Sequence, residues 1–278
     1  MGFKMNYNLL TFLYGNTSIK TILVKSDTPF SVIKRKKDKE IDKKIKIPSL
    51  PIIENGILYK KEVKPVEIKE EPILTNKKLV CLTFDDGPSK YTDELLEILH
   101  ANKSKATFFI TGNNIVANKD IIKRIDTYGN QIGNHGYTHI PFTSLDVDEV
   151  NVEIAMTSTM LIDLGVNSSN IVRPPFGKLS ESLKEQIHAP FILYNIDPED
   201  WKHQDKGYIK QAIKSRIEDG SIILLHDQYK ETIDAVRELI PELKQEGYEF
   251  VTVNEMQKKY DISLEPGMVY AKLRKNVA

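Results

Sequence analysis

From Lys78 onward, short apolar runs alternate with segments of helical spacing, and this alternation constrains the fold more than any other feature. The apolar runs start with KLVCLTF and ATFFITG and end with YEFVTVNEM. Between them, apolar residues recur three and four positions apart, as they do in amphipathic helices. Strands that alternate with helices in this way form parallel βαβ units, and about six or seven such units fit here. The pattern therefore predicts an α/β barrel rather than a short open sheet.

The first part of the chain has a different character. Two strand-like runs, NLLTFLY and IKTILV, precede the highly charged segment Lys34–Pro48, and several prolines follow it. Residues 1–77 carry 16 Lys and Arg against 9 Asp and Glu, although the whole chain has no net charge. We therefore predict an extension at 1–75, comprising a small β-rich module and a basic linker, an α/β domain at 76–262 and a C-terminal tail at 263–278.

Composition excludes several classes of protein. A net charge of zero argues against a nucleic-acid partner. Cys81 is the only cysteine, which excludes a disulfide framework and a cysteine-based zinc site. No apolar run is long enough for a transmembrane helix. The N-terminal run LLTFLY is too short for a clear signal peptide.

Polar residues occur where predicted strands end. They are Asp85 and Asp86 after CLTF, His135 after QIGN, Arg173 after NIV, Asp197, Asp200 and Trp201 after FILYNI, and His226 after IILL. The carboxyl ends of parallel barrel strands lie on one face, which carries the active site in such barrels. We therefore expect these side chains to converge. Thr92, at the start of the segment after Asp85 and Asp86, is a candidate helix N-cap.

The stretch HGYTH suggests a metal site. His135 and His139 are four residues apart, which fits either one face of a helix or a tight loop. On their own, such pairs are common on helix surfaces. Two histidines with one carboxylate would leave an open position on a bound zinc ion, as catalytic zinc sites do. One of the two aspartates could then bind the metal while its neighbour acts as a base.

At these residues the chain resembles the NodB-homology polysaccharide deacetylases, carbohydrate esterase family 4. Five motifs match in order: TFDDG at 83–87, HGYTH at 135–139, RPPFG at 173–177, DPEDW at 197–201 and LLH at 224–226. The resemblance covers residues 78–258 and leaves the extension outside it. It implies a distorted (β/α)7 barrel with a small N-terminal extension, and the metal-dependent removal of N-acetyl groups from sugar polymers.

The resemblance also implies a role for each motif residue. The catalytic set is Asp85 as general base, His226 as general acid, Arg173 holding Asp85, and Asp200 orienting His226. The metal ligands are Asp86, His135 and His139. The substrate-binding set is Pro174, Phe176, Trp201 and Leu224, where the Phe176 backbone N–H would stabilise an oxyanion. The expected cofactor is one divalent metal ion, with Zn²⁺ favoured and Co²⁺ or Ni²⁺ as alternatives.

Two residues depart from the family pattern. Gly136 stands where relatives usually have Ser or Thr, so a hydroxyl that could hold the loop is missing. Phe176 stands where Tyr is common, so a phenol contact is lost. Neither departure removes a proposed metal ligand or proton donor, and we therefore expect an active enzyme.

Three hypotheses for the function remain open. The first is a deacetylase that acts, as a monomer, on an N-acetylated glycan polymer. Peptidoglycan N-acetylglucosamine is the favoured substrate, and chitooligosaccharide or exopolysaccharide are the alternatives. The second is a related amidohydrolase acting on a small non-sugar amide, since similar barrels support such chemistry. The third is a sugar-binding protein with an inactive site. The complete set of motif residues argues against this third hypothesis. The substrate class leads us to expect a cell-surface or secreted protein.

Overall fold

The computed structural model describes residues 7–14, 18–25, 52–54, 57–59 and 77–274. The chain divides into two compact units, Met1–Lys69 and Glu70–Ala278. Among the described residues, no helix is long and apolar enough to cross a membrane.

The described part of the extension consists of two antiparallel strand pairs. Strand β1 (Tyr7–Tyr14) pairs with β2 (Ser18–Lys25), and these strands coincide with the two apolar runs of the sequence. Strand β3 (Ile52–Glu54) pairs with β4 (Ile57–Tyr59). The predicted basic linker at Lys34–Pro48 lies outside the described residues.

Within residues 77–274, eight strands form one sheet in which neighbouring strands run parallel. They are β5 (Lys78–Asp85), β6 (Ala106–Ile110), β7 (Gln131–Asn134), β8 (Ser168–Val172), β9 (Phe191–Ile192), β10 (Ser221–His226), β11 (Tyr248–Phe250) and β12 (Val269–Tyr270). Their order is β10-β5-β6-β7-β8-β9-β12, with β11 also paired to β5. The sheet curls, and a parallel bridge between Ile196 and Ile223 brings the chain beyond β9 beside β10. The predicted distorted (β/α)7 barrel is confirmed.

Helices cover the outside of the sheet. They are α1 (Thr92–Ala101), α2 (Lys119–Thr127), α3 (Val147–Leu164), α4 (Glu181–Gln186), α5 (Asp200–His203), α6 (Lys206–Lys214), α7 (Lys230–Gln245) and α8 (Val253–Tyr260). The apolar side of α1 is buried through Leu95, Leu96 and Leu99. Helix α3 starts with a capping box at Asp146 and ends at Gly165, whose left-handed backbone favours glycine. The period-3.6 pattern in the sequence thus marks the faces that the barrel buries.

The C-terminal boundary differs from the prediction. Strand β12 pairs with β9, and the Leu273 side chain is buried in the same core as Leu79 and Cys81. Residues 263–274 therefore pack within the barrel unit instead of forming a separate tail. No sequence pattern indicates this pairing, since β12 has only two residues and pairs with a strand that is equally short.

Candidate active site

The strand-end residues converge on one face of the barrel, as the parallel topology requires. His226, at the end of β10, lies opposite Asp85, at the end of β5, in the register of these adjacent strands. His135 follows β7 and Arg173 follows β8. The backbone N–H of Arg173 donates to the Asn134 carbonyl, which links these two strand ends. Neighbouring strands therefore deliver the titratable groups that were predicted to meet.

Asp86 lies just beyond β5 in a left-handed backbone conformation, with φ of 65°. Left-handed backbone is unfavourable for residues other than glycine, and such strain is often found at functional sites. Two amide side chains hold this turn. Asn114 Nδ2 donates to the Asp86 carbonyl oxygen at 2.8 Å, and Gln228 Nε2 donates to the same oxygen at 3.3 Å.

Three side chains form a compact group with the donor atoms of a metal site. The ligand atoms of Asp86, His135 and His139 all lie within 4.8 Å of one another. Asp86 Oδ1 is 3.3 Å from His135 Nε2 and 3.0 Å from His139 Nε2, yet this buried oxygen accepts no hydrogen bond from any described residue. Two imidazole nitrogens and one carboxylate oxygen leave coordination positions open. The donor set fits one divalent cation.

The HGYTH stretch forms a tight loop, which decides between the two geometries that its spacing allowed. His135 is buried, and its Nδ1 donates to the Arg173 carbonyl at 2.7 Å in the tautomer that leaves Nε2 free. Burial would raise the pKa of Asp86, but the two nearby imidazoles outweigh this and hold the pKa below its usual range.

Arg173 is fully buried and fixes Asp85. Its Nη1 donates to Asp85 Oδ1 at 2.8 Å and to the Thr83 hydroxyl at 2.7 Å. The remaining guanidinium donors bond to the carbonyls of Ile192 and Leu193. This network satisfies a buried charge and leaves Asp85 Oδ2, 3.6 Å from His135 Nε2, facing the three candidate metal ligands.

Asp200, which is buried, and His226, which is half-buried, form a second pair. His226 Nδ1 donates to Asp200 Oδ1 at 2.8 Å, while Asp200 Oδ2 accepts from the His226 backbone N–H and the Thr232 hydroxyl. Burial lowers the pKa of His226, but the Asp200 carboxylate, together with Asp85 and Asp86, outweighs it and raises the pKa to about 9. His226 Nε2 lies 4.0 Å from Asp86 Oδ2, so it faces the same space as Asp85.

The predicted substrate-binding residues differ in exposure. Pro174 and Leu224 are buried, whereas Phe176 and Trp201 are 59% and 48% exposed. The Phe176 ring lies 4.7 Å from the His139 ring, and its backbone is left-handed with φ of 59°. The exposed Phe176 ring therefore offers apolar surface beside the candidate metal ligands.

Sequence reasoning missed several residues that support the site. Asp227, directly after His226, is fully buried, and its Oδ2 accepts from the Thr92 hydroxyl at 2.5 Å. Helix α1 begins at Thr92, and the residue in the N-cap position is Tyr91. The prediction that Thr92 caps this helix is therefore wrong. A Cβ on Gly87 would lie 2.6 Å from Asp227 Oδ2, so only glycine lets the turn after Asp86 approach this carboxylate. The sequence signal that could have identified Asp227 is its position, as an acidic residue directly after the end of a buried strand.

We predict that the burial of Asp227 makes the folding stability of the wild type depend on pH. Burial raises its pKa to about 6, against the opposing effect of the Thr92 hydrogen bond. Because the folded pKa exceeds the unfolded one, the native chain holds this proton more tightly. The resulting stabilisation is complete below about pH 3.9 and is lost as pH rises through 6. Relative to Asp227→Asn, the wild type should lose about 2 kcal/mol of unfolding free energy between pH 4 and pH 7. Urea unfolding of both proteins in chelator would measure it, and a difference independent of pH would contradict it.

Comparison with known proteins places this geometry in a family. The family model described as Polysaccharide deacetylase matches residues 74–189. A peptidoglycan-N-acetylglucosamine deacetylase of Bacillus cereus is 31% identical over 209 residues, which cover 72% of this chain and 98% of the relative. The chain belongs to the polysaccharide deacetylase family. The predicted resemblance is confirmed, and metal dependence is a property of this family.

Two further similarities extend the comparison. The peptidoglycan-N-acetylglucosamine deacetylase PgdA of Listeria monocytogenes is 31% identical over 263 residues, covering 91% of this chain and 55% of that protein. This chain therefore spans about half the length of that curated relative. The solved family 4 acetyl xylan esterase of Clostridium thermocellum, in complex with a cobalt ion, has a TM-score of 0.66 and 31% identity. The match covers 70% of this chain and 99% of the esterase chain.

Proposed function

We propose that this polysaccharide deacetylase hydrolyses N-acetyl groups on an amino-sugar polymer, with peptidoglycan N-acetylglucosamine as its substrate, and releases acetate. One observation carries the proposal: the three candidate metal ligands lie between two ion pairs, Asp85–Arg173 and Asp200–His226. Amide hydrolysis needs a base for the attacking water and an acid for the leaving amine, and the two pairs offer one of each.

Asp86, His135 and His139 hold one divalent cation in this proposal, with Zn²⁺ favoured over Co²⁺ or Ni²⁺. When bound, such an ion lowers the pKa of a water molecule and polarises the acetamide carbonyl. The chain's own contribution is to keep the three donor atoms together and to present open positions toward the two flanking pairs.

Asp85 serves as the general base. Arg173 donates a hydrogen bond to one oxygen of this carboxylate, while the other oxygen faces the space beside His135. The two adjacent aspartates thus have different partners for their charge. Asp85 is compensated by a guanidinium, and Asp86 by the cation that it binds together with the histidines.

His226 serves as the general acid for the sugar amine, which leaves readily only when protonated. Its raised pKa keeps the imidazole charged at neutral pH, and the Asp200 hydrogen bond aims Nε2 at the site. Trp201 and Leu224 line the pocket for the acetyl methyl in this proposal, and the exposed rings of Phe176 and Trp201 offer apolar surface to the sugar.

Asp200→Asn tests the acid assignment through pH. Removal of the carboxylate charge lowers the pKa of His226, so the protonated acid is lost at lower pH. The upper limb of the kcat/KM profile should move down by about one pH unit or more. Acetate release measured from pH 6 to pH 10 would show this shift. An unchanged upper limb, with activity retained, would remove His226 from the acid role.

The choice of polymer follows the similar proteins. The Listeria and Bacillus cereus relatives are named for peptidoglycan N-acetylglucosamine, which favours that sugar here. The structural similarity to an acetyl xylan esterase supplies a second candidate, the removal of O-acetyl groups from xylan. An ester releases an alcohol, which depends less on protonation by His226 than an amine does.

Acetate release from a panel of polymers distinguishes these candidates. The panel comprises peptidoglycan acetylated only on glucosamine, peptidoglycan acetylated only on muramic acid, chitooligosaccharide, acetyl xylan and a small N-acetyl amide. We expect the first to give the highest kcat/KM. Preference for acetyl xylan would replace the proposal with the esterase, and preference for the small amide would replace the polymer altogether.

A further inference from the structure

We propose that Glu153 of α3 is a positioning residue for the loop His135–His139, and that it supplies the support a hydroxyl at position 136 would otherwise give. The inference rests on the proposed metal site, since positioning matters here through the two histidines. It concerns a side chain that lies outside the five sequence motifs.

Gly136 creates the space in which Glu153 acts. Its backbone is left-handed, with φ of 73°, which glycine adopts without penalty. A Cβ at this position would lie 3.3 Å from Glu153 Oε2 and 3.2 Å from Phe142 Cε1. A side chain at this position would therefore press on both the carboxylate and the Phe142 ring, and glycine lets Glu153 approach the loop without that conflict.

Glu153 binds the two residues that follow Gly136. Its Oε2 accepts the backbone N–H groups of Tyr137 at 2.8 Å and Thr138 at 2.7 Å, and Oε1 accepts from the Thr138 hydroxyl at 2.9 Å. The residue is only 9% exposed. A buried carboxylate is costly unless it is hydrogen-bonded, and charge-assisted bonds of this kind are about twice as strong as neutral ones. Glu153 is therefore strongly tied to this loop.

Neighbouring side chains hold Gly136 itself. Thr157, one helical turn after Glu153 on α3, donates its hydroxyl to the Gly136 carbonyl at 2.8 Å. Asn134 Oδ1 accepts the Gly136 N–H at 2.8 Å, and its Nδ2 donates to the Ile154 carbonyl. All three residues between the histidines are thereby attached to α3, directly or through Asn134.

The two histidines depend on this support unequally. His135 is buried and anchored separately through Nδ1 to the Arg173 carbonyl. His139 is partly exposed, has a left-handed backbone with φ of 64°, and its ring contacts other site groups: Asp86, His135 and Phe176. Its position is set by the loop backbone that Glu153 holds. A purely structural role for Glu153 would affect folding stability but not the arrangement of these imidazoles.

The test measures zinc affinity by calorimetry on the full chain, alongside the unfolding temperature in chelator. Glu153→Ala and Glu153→Asp should both bind zinc about 10- to 100-fold more weakly, as losses around a metal ligand typically do. The shorter Asp cannot reach the loop N–H groups. Glu153→Gln keeps an acceptor for both N–H groups and a donor for the Thr138 hydroxyl, so it should restore affinity to within about threefold. Asp163→Ala, an exposed carboxylate on the same helix, is the control.

The outcomes separate this inference from the proposed function. Wild-type zinc affinity in Glu153→Asp, with or without a lower unfolding temperature, would overturn the positioning role; this variant keeps the result decisive if Glu153→Ala does not fold. The readout requires no acetate release, so an inactive wild type that still binds zinc would overturn the function alone. A wild type that binds no zinc would overturn both.

Discussion

Asp85→Asn is expected to lower kcat/KM for acetate release by about 10³-fold while zinc affinity stays close to that of the wild type. Asn keeps the shape of the side chain and can still accept from Arg173 Nη1, but it cannot take a proton. Asp85 is not among the three residues whose ligand atoms cluster, so the metal site should persist. Acetate release and zinc calorimetry on the same protein would measure both quantities.

The control for this variant concerns folding. Asp85→Asn leaves the buried charge of Arg173 with a neutral partner, and breaking a buried ion pair typically costs about 3–5 kcal/mol. The unfolding temperature should therefore fall, and activity must be compared on protein shown to be folded by circular dichroism. Retention of more than about a tenth of the activity by folded variant would contradict a base role, since base catalysis typically contributes at least 10²-fold.

Asp86→Ala is expected to abolish both zinc binding and deacetylation. The variant removes the carboxylate that brings a negative charge to two imidazoles, and the remaining pair cannot hold the ion in a defined position. The metal contributes several kcal/mol of transition-state stabilisation, so activity should fall by at least about 10³-fold. Activity must be compared on protein shown to be folded, because Asp86 has a left-handed backbone and its carboxylate interacts with both imidazoles.

The pair of variants distinguishes the two adjacent aspartates. Asp85→Asn should bind zinc but release no acetate. Asp86→Ala should neither bind zinc nor release acetate. The control Asp163→Ala should bind zinc and release acetate as the wild type does. Zinc binding by Asp86→Ala at wild-type affinity would remove this residue from the ligand set. Full activity in that variant would contradict the mechanism as a whole.

The sequence predicts the barrel and the convergence of its polar strand-end residues well, because both follow from local patterns. Alternating apolar runs and helical segments require parallel strands, and parallel strands place their carboxyl ends together. Asp85, His135, Arg173 and His226 could therefore be assigned to one face before any distance was known. The pairing of Asp85 with Arg173 came from the resemblance, because the two lie far apart in sequence.

Other features depend on contacts that no local pattern encodes. The left-handed Asp86 is held by Asn114 and Gln228, which approach from loops after two different strands. The Thr92 hydroxyl bonds to Asp227, which follows the neighbouring strand β10, instead of capping its own helix. Glu153 gave a usable signal, since it lies on the α3 face that buries Val150 and Leu161, where an acid needs a partner.

The missing hydroxyl at Gly136 shows how a departure from a family pattern can mislead. The sequence suggested that the loop between His135 and His139 lacks support. In the structure, glycine allows Glu153 to approach, and the carboxylate holds two consecutive backbone N–H groups. Support for the loop comes from a helix rather than from the loop itself, so the motif alone underestimates how well the site is organised.

The central claim is that this chain binds one divalent metal and uses it to release acetate from a glycan. The most direct measurement is a zinc titration of the chelator-treated full chain, with acetate release from glucosamine-acetylated peptidoglycan as the readout. The account predicts background release without zinc and a rise to a plateau at one zinc per chain. Full release in excess chelator, or no release at any zinc concentration, would contradict it.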